Sequence, residues 1–143
     1  MANYTCAIRT NYFRVKDPDR FRAFMERVRG SEDSVELWEE KAADGHLLFG
    51  FGTYGSISGL RDNESDEASE DDYDAFLNGL QEHVAEDDAI IIFEAGREKL
   101  CYVVGTALII TAGEYAALDI RDLAIAQAGK MLYIPNWTSK CDY

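Results

Sequence analysis

Ser34-Val-Glu-Leu-Trp-Glu-Glu-Lys-Ala-Ala-Asp-Gly-His-Leu-Leu-Phe-Gly-Phe-Gly-Thr-Tyr54 reads as a β-hairpin. Asp44-Gly45 is a tight-turn dipeptide, because glycine and aspartate tolerate the positive φ that such turns require. Ser34 to Lys41 forms the outgoing strand, with Val35 and Leu37 inward, and His46 to Tyr54 returns antiparallel. A helix is expected on each side of this hairpin. Upstream, Asp17-Pro18 supplies an N-cap and a first-turn proline. Phe21, Phe24, Met25 and Val28 then recur at i, i+3, i+4 and i+7, and Gly30 is the expected stop. Downstream, Asp71 or Asp72 caps a second helix with the stripe Tyr73, Phe76, Leu77, Leu80 and Val84. Gly79 interrupts it at a cost of about 1 kcal/mol relative to alanine.

Strands close the pattern at both ends. Tyr4 to Val15 alternates and is rich in β-branched and aromatic residues, and Ala89 to Ala95 reads as a buried strand. The order β-α-β-β-α-β spells a ferredoxin-like α+β core, with two helices on one face of a mostly antiparallel sheet. Gly96 to Lys99 is expected to turn. Leu100 to Thr111 and Tyr115 to Ile120 add two strands, and Arg121 to Met131 adds a helix, a C-terminal β-β-α extension. The expected organisation is one domain over 1–143, with an acidic mobile loop at 56–70 and an irregular tail at 133–143.

The 143 residues carry 27 acidic and 14 basic side chains, a formal charge of −13. The charge is segregated. Residues 1–30 hold seven bases and three acids, residues 31–96 hold two bases and nineteen acids, and residues 97–143 hold five of each. Salt adaptation would spread acids over the whole surface, which the basic first segment argues against. Direct binding to nucleic acid or to an anionic membrane needs a positive footprint, which the chain lacks. No apolar run approaches the length of a membrane span, and Met1 to Thr10 lacks the features of a signal peptide. Cys6, Cys101 and Cys141 are odd in number and far apart, so a disulfide framework is not expected and a cytoplasmic location is.

Motifs for chemistry are thin. Gly50-Phe-Gly52-Thr-Tyr-Gly55 matches G-x-G-x-x-G in letters. No helix start follows it, and nearby carboxylates would repel a phosphate. Counting from Asp62, the sixth and twelfth positions hold Glu67 and Tyr73, where an EF-hand needs Gly and Glu. Gly55-Ser-Ile-Ser-Gly59 centres on Ile57 and is no nucleophile elbow. His46 and His83 are the sole histidines, so neither a metal site nor a Cys–His pair with Cys6 or Cys101 has local support. No catalytic residues, metal or cofactor are expected. Arg20, Arg22, Arg27 and Arg29 form a basic helix face whose expected partners are Glu26 or the acids of the second helix.

The positive signal is Asp62-Asn-Glu-Ser-Asp-Glu-Ala-Ser-Glu-Asp-Asp-Tyr-Asp74, with eight acids and no base. Duplex DNA presents one charge per roughly 1.7 Å of axis. Carboxylates at such density suit a basic cleft built for nucleic acid, and complementary fields accelerate association. An acidic single domain of this kind resembles, in type, the small acidic anti-restriction and anti-CRISPR proteins of phages and mobile elements. The resemblance implies a DNA mimic that blocks the nucleic-acid-binding surface of a host defence nuclease without chemistry. The expected contact set is Asp62, Glu64, Asp66, Glu67, Glu70, Asp71, Asp72 and Asp74, and the expected partner is a basic nucleic-acid-handling protein. Two alternatives stand beside it. One is a regulatory interaction module, monomeric or homodimeric, that binds through its sheet, with Tyr4, Tyr12, Trp38 and Tyr54 as surface candidates. The other is a small enzyme with a pocket of Cys, His and carboxylates.

Overall fold

The computed structural model describes residues 4–60 and 70–141. It contains β1 (Thr5–Thr10), α1 (Pro18–Met25), β2 (Val28–Gly30), β3 (Glu36–Lys41), β4 (Leu47–Tyr54), β5 (Ile57–Leu60), α2 (Glu70–His83), β6 (Ile90–Glu98), β7 (Tyr102–Ile110), β8 (Tyr115–Asp119) and α3 (Ile120–Leu132). The architecture is mixed α+β. A six-stranded sheet runs in the order β3-β4-β1-β6-β7-β8, and every neighbouring pair in it is antiparallel. β7 and β8 extend the sheet beyond β6.

The hairpin β3–β4 forms where the turn chemistry places it, with Gly45 at φ +89° and Lys41 opposite Leu47. Alternation then sorts the side chains. Ile8, Phe51 and Ile92 face α1 and α2, whose Phe21, Phe24, Phe76, Leu77 and Leu80 complete one core. The phenylalanines pack edge-on or stacked: Phe21 lies 5.6 Å from Phe13 and 5.0 Å from Phe49, and Phe24 stacks on Phe76 at 6.3 Å. Each fully buried ring stabilises the fold by roughly 1.5–3 kcal/mol relative to exposure. On the other face of the sheet, the Arg9 guanidinium lies 4.9 Å over the Trp38 ring. Gly52 makes room there, because a Cβ would sit 2.7 Å from Ile8 O and 2.9 Å from Trp38.

Several boundaries differ from the sequence reading. The first strand stops at Thr10 rather than running to Val15. Asn11 N still donates to Ile91 O at 3.3 Å, and its side-chain amide takes over the next pairings: Oδ1 accepts from Ile91 N at 2.8 Å and Nδ2 donates to Ala89 O at 3.1 Å. Beyond it only single bridges remain, Phe13 to Phe49 and Val15 to Val84. α1 ends at Met25, not at Gly30. Val28 to Gly30 instead forms β2, which pairs with β5 in a separate two-stranded sheet. Val28 is buried in either arrangement, so the i+7 spacing did not separate them. The expected mobile loop at 56–70 is corrected accordingly: 57–60 is strand β5, Glu70 begins α2, and 61–69 lie outside the described residues. The β6–β7 turn falls at Lys99 to Cys101, later than Gly96, with Lys99 at φ +49°.

Gly79, mid-helix in α2, is explained by packing. A Cβ there would overlap Phe24 Cε1 and lie 2.5 Å from its Cζ, so glycine sets the close approach of α1 to α2. Among the described residues no helix is long and apolar enough to cross a membrane.

Candidate protein-binding surface

The acidic segment enters the described structure at the N-terminus of α2. Asp62, Glu64, Asp66 and Glu67 lie outside the described residues. Glu70, Asp71 and Asp72 occupy the first turn of α2. Asp74 follows and is exposed. The stripe Phe76, Leu77, Leu80 and Val84 is buried, which leaves Asp74, Asn78 and Glu82 facing water. Of the eight expected contact residues, the described structure thus brings four onto one helix and one of these, Asp74, into view as an exposed carboxylate.

Other acids are committed internally. Arg14 Nη2 lies 2.7 Å from Asp87 Oδ2, and Arg14 N donates to Asp88 Oδ2 at 2.8 Å. These contacts clamp the segment after β1 to the segment after α2. The hydrogen bond from Arg14 holds the Asp87 carboxyl below the usual range. Arg22 donates to Glu39 at 2.6 Å and to Asp19 at 2.8 Å. The Glu39 carboxyl is lowered by that bond, and its charge lies on β3 rather than on α2 or Glu26, where partners for the basic face were expected. Arg27 and Arg29 also take part in interactions. The expected four-arginine helix face is corrected: α1 ends at Met25, so Arg27 follows the helix and Arg29 lies on β2.

The histidines and Cys6 have close neighbours of their own. His83 packs against Phe24 and Phe21, with ring centroids 4.9 Å and 5.9 Å away. Burial is the main cause of its lowered pKa, with Arg20 adding to it. His46 Nδ1 sits 2.9 Å from Asp44 Oδ2 in the hairpin turn. Cys6 is buried in β1, its thiol pushed up by burial and by Glu94. Among the described residues no three His, Cys, Asp or Glu side chains converge as a metal site requires.

Two concave features were not foreseen. A cleft of about 330 Å³ beside α2 is lined by Tyr4, Ile57, Tyr73, Ile92 and Glu94, with the Tyr4 hydroxyl donating to Glu94 Oε2 at 2.8 Å. Burial and this carboxylate raise the Tyr4 pKa. A wider apolar groove of about 760 Å³ runs between β7, α3 and the tail, past Tyr102, Val103, Ile120, Ala124 and Trp137. Its signal in the sequence was a C-terminal helix whose apolar residues circle the axis instead of forming one stripe. Of the sheet-surface candidates, Tyr12 and Trp38 pack over Gly50 and Gly52 on the face of β4 away from α1 and α2, Tyr54 is exposed on that same face, and Tyr4 lies at the cleft with Glu94 instead. No family model, curated protein or solved structure matches this chain.

Proposed function

We propose that this chain is a non-catalytic inhibitor that binds a basic nucleic-acid-handling protein through an acidic surface and blocks its nucleic-acid site. The observation that carries the reading is the uninterrupted acidity of 62–74 leading into α2, whose outward positions Asp74 and Glu82 continue it. Complementary fields of this kind raise association rates by roughly 10- to 1,000-fold at low salt. We read the unit β3-β4-β1-β6 with α1 and α2 as ferredoxin-like, a rigid base that fixes the acidic helix.

The test is retention of proteins from cell extract on the immobilised chain at low and high salt. The wild type is compared with a variant carrying Glu70→Gln, Asp71→Asn, Asp72→Asn and Asp74→Asn. A basic nucleic-acid-binding protein should be retained at low salt by the wild type alone, and the added chain should displace its nucleic acid. Retention that ignores both salt and the four substitutions would refute the electrostatic reading.

A further inference from the structure

The C-terminal third has no interior. From Thr111 to Cys141 no residue is buried, and α3 has no buried position. Yet this stretch is rich in large apolar side chains. Ile120 is 62% exposed, Leu123 53%, Met131 71% and Tyr133 93%. With Phe93 and Leu118 on the adjoining sheet face, and their apolar neighbours, they leave on the order of 1,000 Å² of carbon surface in water. The largest such patch on an ordinary monomer is about 300–600 Å². A stable dimer needs about 800 Å² from each partner.

We propose that this surface is where a second copy of the chain docks, face to face about a two-fold axis. Two observations select a second copy over another protein. First, the unit carries both halves of a complementary fit. Between the sheet and α3 lies an apolar groove of about 340 Å³ lined by Phe93, Ala107, Leu118, Ile120 and Leu123. At the far end of the same helix project Met131, Leu132 and Tyr133. A two-fold contact requires such self-complementarity. Second, the charge permits it. Residues 97–143 hold equal numbers of acids and bases, whereas the net charge of −13 resides in residues 1–96. Two copies repel through most of their surface and meet without repulsion here.

Tyr133 strengthens the assignment. It closes α3 in the left-handed region, at φ 57° and ψ 36°, a position that ordinarily goes to glycine. The backbone there is strained and the ring is 93% exposed, and a partner covering the ring removes the exposure. The inference is independent of the acidic-surface reading, because α2 covers the opposite face of the sheet.

Sedimentation equilibrium of the full chain at about 1–100 µM tests it. The expected mass is twice 16.1 kDa. Leu123→Asp and Tyr133→Gly should each weaken self-association at least about tenfold, with the far-UV circular dichroism spectrum unchanged. Tyr133→Gly is the safer variant, since glycine suits the backbone there. If Leu123→Asp unfolds, Tyr133→Gly alone decides. A monomer across the whole range overturns the proposal and assigns the surface to a different protein. A dimer that withstands Tyr133→Gly places the interface elsewhere and overturns it equally.

Discussion

Gly79→Ala should destabilise this protein, although helix propensity alone says the reverse. Alanine in a helix interior is favoured over glycine by about 1 kcal/mol. Against that stands the ring of Phe24, which the new Cβ would overlap. The ring is held on three sides. It is stacked on Phe76 at 6.3 Å with planes 7° apart, lies 6.3 Å from Phe21, and has His83 at 4.9 Å. Overpacking costs about 1–3 kcal/mol, and a neighbour held on three sides belongs at the upper end. The net loss is then about 2 kcal/mol, which for a chain of this size lowers Tm by roughly 6–8 °C. Urea unfolding followed by circular dichroism measures the first quantity and a thermal scan the second. A double-mutant cycle isolates the cause: adding Phe24→Leu to Gly79→Ala should recover about 1 kcal/mol relative to the sum of the single changes. If Gly79→Ala raises Tm, the close approach of α1 and α2 is wrong.

Asn11→Ala leaves Ile91 N and Ala89 O without their partners and should cost about 2–3 kcal/mol in urea unfolding; a loss below half a kilocalorie would mean that water replaces the amide freely. His83 supplies a pH test. Its folded pKa lies below the ordinary imidazole value, so the unfolded chain binds the proton first as pH falls. Its contribution is complete above the ordinary value and is lost on acidification towards the folded pKa. The surrounding charges are Arg20, Lys16, Glu82 and Asp17, and His83→Gln should flatten the urea midpoint across that window; an unchanged slope would sink the assignment. Glu39 acts lower on the pH scale. Its depressed folded pKa means stability present above the unfolded carboxylate value and lost as pH falls through the folded one. Arg22→Gln should flatten that acid limb, and the difference should shrink in high salt; persistence in 1 M salt would show that charge is not the cause.

The α+β class and the mostly antiparallel sheet were legible because their signals are local, whereas whether β7 and β8 would extend that sheet or pack beside it was not. Asp17-Pro18 caps a helix and Asp44-Gly45 turns a hairpin wherever the rest of the chain goes. What escaped was non-local. Val28 fits a helix stripe and a short strand equally, and Ile57 to Leu60 becomes β5 by pairing with residues almost thirty positions earlier. The end of β1 depends on an Asn11 side chain finding a strand eighty residues away. At the surface the acidic block could be located by counting charge, whereas the commitment of Asp87 and Asp88 to Arg14 could not. The bare apolar C-terminal face was hidden for another reason. Its residues have the composition of a core, and only the fold reveals that no layer covers them.

The central place of β1 governs when the chain can fold during its synthesis. This first strand lies between β4 and β6, and its six residues pair with Arg97 through Ile92 on one side. Translation at about 5–20 residues per second separates Thr10 from Glu98 by roughly 4–18 s. Throughout that interval the strand has one flank without its permanent neighbour. The hairpin β3–β4 can offer it the other flank early, but Ile8 and the core phenylalanines await Ile90 and Ile92. The nascent chain therefore emerges with a central strand of its sheet as an open template. The acidic residues between β5 and β6 are made during this exposed interval.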